Sequence, residues 1–277
     1  MPIKRHQHRS KVIIAHGRDA AMQIPATMTP EWEAALRYGL ERVGYRHHAC
    51  IPISVPYYAA GWRPDEYFPV PRFSDGTGTV TKPPEPISGE DEERALEFLY
   101  RLLRLSDNVL SLLLKDLDEY FQDEKLRNLT DGYVRDACLG KDEVVLVGFS
   151  MGSIVGYHLL ANEAPSFPVR SFITCGSPMV DPKMYQYVSD LTPDHIAIFP
   201  PSLRMWANIW DDDDPATTHH DWTGRFASAT GMEVQSERSY GRAPQRTNPA
   251  AAHNPFDYFS SKTLAAAVAT ALSVTDP

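Results

Sequence analysis

Val144-Val145-Leu146-Val147-Gly148-Phe149-Ser150-Met151-Gly152-Ser153-Ile154 is the stretch on which the reading of the fold turns. Its first half is an unbroken apolar run, the pattern of a strand covered on both faces. It stops at a serine with a glycine two residues away on each side. A serine in a tight strand-to-helix turn is pressed into a sparsely populated backbone conformation, and strand and helix then approach so closely that side chains at 148 and 152 would collide. Glycine at both positions removes the collision. Such a turn lifts the hydroxyl above the carboxyl edge of a sheet, where the start of the next helix favours developing negative charge. Ser150 is therefore the candidate nucleophile for attack on an acyl carbon.

Outward from this turn the chain alternates strand and helix patterns. Val12-Ile13-Ile14-Ala15 reads as a buried strand ending in the loop His16-Gly17. Thr29-Pro30-Glu31 suits a helix start, and Trp32, Leu36, Leu40 and Val43 follow at helical spacing up to Gly44. Residues 50–55 read as a strand, with Pro52 suited to an edge or to a strand start. A helix over about 126–138 precedes the decisive strand, and Ser153 to Leu160 continues it as a helix with small residues on one side. Val169 to Cys175 and Leu203 to Trp210 are further strands, the latter the last strong one, and the chain closes with one amphipathic helix from Pro255 through Leu272. The alternation predicts the α/β class: a mainly parallel, doubly wound sheet with helices on both faces, formed as a single domain over 1–277. Residues 57–120 show no sustained period until the Leu-rich part. Their Pro, Gly and aromatic content, with Tyr57, Tyr58, Trp62, Tyr67, Phe68 and Phe73, suits equally a lid-like insertion over an acyl pocket and a well-packed surface loop.

Composition narrows the partners. With 277 residues, a formal charge of -9, and 43% hydrophobic residues, the chain is an ordinary globular one without the basic patch that nucleic acid requires. No apolar stretch reaches transmembrane length, and the basic start Lys4 to Arg9 lacks the apolar region of a signal peptide. A cytoplasmic protein is expected, and its Leu-rich helix, interrupted by Asp and Lys, reads first as ordinary packing on the sheet or lid, with peripheral membrane contact as the alternative. Cys50, Cys138 and Cys175 have no paired spacing, so buried free thiols are expected in place of disulfides or a metal knuckle.

A serine hydroxyl needs a base, and the base needs an orienting acid. In an α/β sheet both follow the serine, on loops at the carboxyl edge of later strands. The run Asp211-Asp212-Asp213-Asp214 lies just beyond the last strong strand, and Pro215 stiffens the turn behind Asp214, which makes Asp214 the preferred acid and Asp211 the second choice. A calcium loop would need alternating acids and a glycine, which the run lacks. Among ten histidines, His253 stands in a loop just before the last helix. His219 and His220 are its rivals, but they follow Asp214 too closely to leave room for another strand. An oxyanion would meet the Met151 N–H and a second N–H from the His16-Gly17-Arg18 loop, most simply that of Arg18, with Gly17 allowing close approach. His16 is expected to brace that loop.

The set His16-Gly17, Gly148 to Ser153, Thr174-Cys175-Gly176-Ser177-Pro178, Asn208 with Asp214-Pro215, and His253 resembles the serine esterases and lipases of the α/β-hydrolase superfamily. Within it, the chain is similar to the lipase-like branch of inositol-deacylase (PGAP-one-type) enzymes and related bacterial hydrolases. The resemblance spans the strand cores and omits the segment from Tyr57 to about Tyr120. It implies the α/β-hydrolase fold and hydrolysis of an ester, thioester or amide with no cofactor and no metal. A small-molecule or lipid acyl ester is the expected substrate. Acyl transfer or thioester hydrolysis by the same residues is the alternative, and an inactive binding protein on the same fold is a further one.

Overall fold

The computed structural model describes residues 10–17, 25–46, 48–56, 117, 119–140, 143–192, 194–217, 219–239 and 253–275. Its centre is a six-stranded sheet of β1 (Ser10–Ala15), β2 (Ile53–Ser54), β3 (Glu143–Phe149), β4 (Val169–Cys175), β5 (Met205–Trp210) and β6 (Gln235–Arg238). The spatial order is β2-β1-β3-β4-β5-β6 and every pairing is parallel. The α/β class expected from the alternation is the class observed.

Helices cover both faces. The inner residues of α1 (Pro25–Arg42) and α6 (Lys262–Thr275) meet Val12, Ile14, Val145, Val147, Ile173 and Ile209 on one side. On the other, α2 (Glu124–Cys138), α3 (Met151–Asn162) and α4 (Pro182–Asp190) meet Ile13, Ala15, Val144, Leu146 and Phe172. Strands covered twice must be apolar at odd and even positions alike, which is why β1 and β3 read as continuous apolar runs. Helix α3 is buried from Met151 through Ala161 apart from His158, so it carries apolar and small residues all round.

Three local differences from the sequence reading have physical causes. Helix α1 starts at Pro25, one turn before Thr29-Pro30-Glu31. Pro25 satisfies the same first-position preference, and the fully buried stripe Trp32, Leu36 and Leu40 carries the helix across the backbone bond that Pro30 removes. The single closing helix is two: α5 (Pro255–Phe259) and α6, separated at Ser260-Ser261, where the Ser261 hydroxyl accepts from the Leu264 N–H at 3.1 Å and starts the second. Strand β6 lies beyond the expected last strand. All four of its residues are exposed, so Gln235-Ser236-Glu237-Arg238 shows no apolar pattern, and its place is set by pairing to β5 and by an Asn208 Nδ2–H bond to the Ser236 hydroxyl at 3.3 Å.

Smaller expectations divide. The strand expected over 50–55 is reduced to Ile53–Ser54, an edge strand that starts directly after Pro52, behind a 3₁₀ turn at His48–Cys50. Cys138 and Cys175 are buried thiols, whereas Cys50 is exposed on that turn and corrects the expectation of burial. The lid-like insertion expected over 57–120 falls outside the described residues except for Leu117, Glu119 and Tyr120. No described helix is long and apolar enough to cross a membrane.

The strand order fixes where a site can lie. From β1 the chain runs outward to β2, returns across to β3, and then proceeds in the opposite direction. The loops leaving β1 and β3 therefore diverge to opposite faces, and the crevice between them at the carboxyl edge is the place where such sheets bind ligands. Ala15 pairs with Gly148, so Gly17 and Ser150 both stand at that crevice.

Candidate active site

Ser150 follows β3 directly with φ 54° and ψ −125°, one of two described non-glycine residues with positive φ. Backbone of this kind persists only where the surroundings enforce it. Here the Ser150 N–H donates to the Cys175 carbonyl at 3.0 Å, and the Ser150 carbonyl accepts from the Ser153 N–H at 3.0 Å and the Ser153 hydroxyl at 2.5 Å. The Ser153 and Ser177 hydroxyls are themselves 2.6 Å apart, which ties the turn to the loop after β4.

The two flanking glycines are needed for close approach. A Cβ on Gly148 would lie 2.6 Å from the Ser153 Cα, and one on Gly152 would press into the Ala15 carbonyl and lie 2.5 Å from the His16 carbonyl oxygen. Both obstacles are backbone, so neither can swing away. Gly152→Ala is expected to lower the unfolding free energy by at least about 3 kcal/mol in urea titration. Gly132→Ala, inside α2 with open space around the new methyl, should raise it by about 0.5–1 kcal/mol.

His253 and Asp214 reach the serine from two separate loops. Asp214 follows β5 and is fully buried, and the next three residues form a 3₁₀ turn, Pro215–Thr217. His253 immediately precedes Asn254, whose side chain accepts from the Phe256 N–H and caps α5 with Pro255 in its first turn. The His253 Nε2 lies 2.9 Å from the Ser150 Oγ, and its Nδ1 lies 3.0 and 2.9 Å from the two Asp214 oxygens. With the Nδ1–H donating to the carboxylate, the Nε2 lone pair faces the serine O–H. The imidazole stacks on the Phe149 ring at a centroid distance of 4.9 Å and 27° between planes, which fixes its remaining freedom.

Asp214 ionises below the ordinary carboxylate range. Burial is the largest single influence and opposes ionisation, but it is outweighed by the charge and hydrogen bond of His253, a Tyr258 hydroxyl bond and the Ala216 N–H. Tyr258 donates to Oδ2 at 2.7 Å and Ala216 to Oδ1 at 2.8 Å. The arrangement can move a proton from the Ser150 hydroxyl to His253 while a permanently charged carboxylate stabilises the imidazolium.

The remaining sequence candidates sort cleanly. Asp211 lies on the near side of the turn, accepting from the Asp213 N–H at 3.0 Å, and His219 faces Asp181 at 3.4 Å. His220 stacks on Trp210 at the surface. The Met151 N–H is the first amide of α3, where no earlier helical carbonyl can accept it. Gly17 is so close that a Cβ there would lie 2.8 Å from the Ser150 Cβ. Arg18 lies outside the described residues. Tyr258, Phe149 and Ala216 are the contacts that sequence reasoning missed; the fold alone brings the two rings to the acid and base, whereas the Ala216 N–H bonds Asp214 across the local Asp214-Pro215-Ala216 turn.

His16 is fully buried behind this loop, its Nδ1–H donating to the Gly17 carbonyl at 2.8 Å. Burial lowers its pKa from the ordinary 6.5 to about 4. The unfolded chain therefore takes up a proton at a pH where the folded one does not, and stability falls as pH drops from 6.5 toward 4. That lowering corresponds to about 3 kcal/mol. Urea titrations across that range should show this loss, and His16→Asn, which keeps a donor for Gly17 without titrating, should flatten it.

No protein-family model and no curated protein matches the chain.

Proposed function

We propose that this protein is a serine hydrolase of the α/β-hydrolase type that cleaves a carboxylic ester through an acyl-enzyme. The observation that carries the proposal is the continuous hydrogen-bond chain from Asp214 through His253 to Ser150, ending on a serine in a strained turn. As the Ser150 oxygen bonds to the acyl carbon, its proton passes to the His253 Nε2. The carbonyl oxygen takes the negative charge and meets the Met151 N–H, with the Arg18 N–H as the second donor on the loop that Gly17 opens. When the tetrahedral adduct collapses, the imidazolium returns the proton to the leaving alcohol. A water then repeats the sequence on the acyl-enzyme, yielding the carboxylic acid and the free serine.

The test is a rapid-mixing experiment with a p-nitrophenyl ester series from acetyl to long acyl chains. A burst of p-nitrophenol equal to the enzyme concentration, followed by slower turnover, is the expected result. Release without dependence on Ser150 would overturn the proposal. Added alcohol that diverts the acyl group from acid to a new ester would assign acyl transfer by the same residues.

A further inference from the structure

We propose that Tyr258 is a positioning residue for the Asp214–His253 pair, acting through Asp214 and never touching the substrate. The inference rests on the serine hydrolase reading and adds a residue to it. Tyr258 sits five positions after His253, on α5, so one capped turn of chain delivers both residues to the same carboxylate. His253 bonds both Asp214 oxygens, and the Tyr258 hydroxyl, donating to Oδ2 at 2.7 Å, opposes the Ala216 N–H on Oδ1 at 2.8 Å. A donor on each oxygen leaves the carboxylate one orientation. Without the hydroxyl, only the imidazole holds Oδ2.

The surroundings are shaped for this contact. Gly176, at φ +55°, lies where a Cβ would be 3.2 Å from the Tyr258 ring, 3.3 Å from Asp214 Oδ2 and 2.9 Å from the Phe149 ring. The Tyr258 ring packs at 5.8 Å from that of Phe149, which in turn carries the imidazole. Acid, base and tyrosine thus share one aromatic floor. The titratable groups facing Asp214 are His253, Tyr258 and the fully buried Cys175 thiol, and Asp211 adds negative charge near Tyr258. Burial, and after it the Asp214 charge, pushes the Tyr258 phenol well above its ordinary range, so it remains a donor throughout any working pH.

The sign of the effect follows. The Tyr258 hydroxyl stabilises the charged carboxylate most when the imidazole beside it is neutral. Removing it therefore makes the pair hold a proton to higher pH, whichever member carries that proton. Tyr258→Phe keeps the ring and its packing. It should lower kcat about tenfold with KM within about twofold, and move the acid limb of kcat/KM upward by about one pH unit. Tyr157→Phe is the structural control. Its hydroxyl is bonded to the Ile198 backbone on the far face of the sheet, so it should lower stability and leave the acid limb where it was.

A second readout does not need activity. The His253 Nδ1–H proton, followed by NMR in the labelled full-length protein, should shift in Tyr258→Phe and titrate with a midpoint about one pH unit higher. An unmoved acid limb and an unmoved resonance would overturn the role of Tyr258 even in an active esterase. If the protein hydrolyses no ester, the resonance alone decides: a raised midpoint upholds the positioning role while the hydrolase reading fails, and an unchanged one overturns it.

Discussion

Ser150→Ala will lower kcat for ester hydrolysis by about 10⁶-fold while leaving the fold intact. The variant removes one oxygen and keeps every backbone bond that enforces the turn: Ser150 N–H to Cys175, and Ser153 N–H to the Ser150 carbonyl. Alanine meets the same positive φ as serine, so the strain is unchanged and circular dichroism and Tm should match the parent. His253→Ala should cost about as much, and the double variant no more than either alone, because the two residues act as one unit. His219→Ala, whose ring faces Asp181 while His253 occupies the Ser150 hydroxyl, should leave the rate at the parental value. That comparison separates His253 from one of the rivals that spacing after Asp214 disfavours.

Asp214→Asn is the second large effect, about 10⁴-fold in kcat. The carboxylate accepts from His253, Tyr258 and Ala216 together. An amide has only one oxygen, and the Ala216 N–H can only donate, so that oxygen is held at the Oδ1 position. The NH₂ then faces His253 Nδ1, which must accept instead of donate. The imidazole proton moves to Nε2, pointing at Ser150, and the base is lost while the packing survives. Asp211→Asn, half-buried at the strand end of the same acidic turn with its side chain on the Asp213 N–H, should stay within about twofold. Steady-state rates of the two variants against one p-nitrophenyl ester check both expectations.

Much of this was legible in the chain because the features are local or periodic. Strands buried on both faces announce themselves as apolar runs, and the Val169 to Cys175 strand has the bounds the sequence predicts. The glycines at 148 and 152 were legible because close backbone approach leaves no substitute. Asp214 and His253 could be read from their order after the serine, with Pro215 marking the acid within its run and the distance from Asp214 favouring His253. What was hidden lacked such a signature. Strand β6 is polar and fully exposed, held by main-chain pairing to β5, which no side-chain pattern records. The break between α5 and α6 depends on the Ser261 cap within a continuous apolar stripe. Tyr258 carries no local signal of its role, and its bond to Asp214 spans 44 positions that only the fold closes. The Phe149 floor under His253 spans a still longer separation, from β3 to the start of α5.

The roles of the acid and the base depend on Ser150 being a nucleophile activated by His253. Incubation of the native protein with a fluorophosphonate, followed by intact mass measurement and peptide mapping, tests that claim most directly. One adduct per chain on the peptide carrying Ser150, absent from Ser150→Ala and abolished in His253→Ala, is the predicted result. Labelling of Ser150→Ala equal to that of the parent, or a folded parent that takes no label, would contradict it.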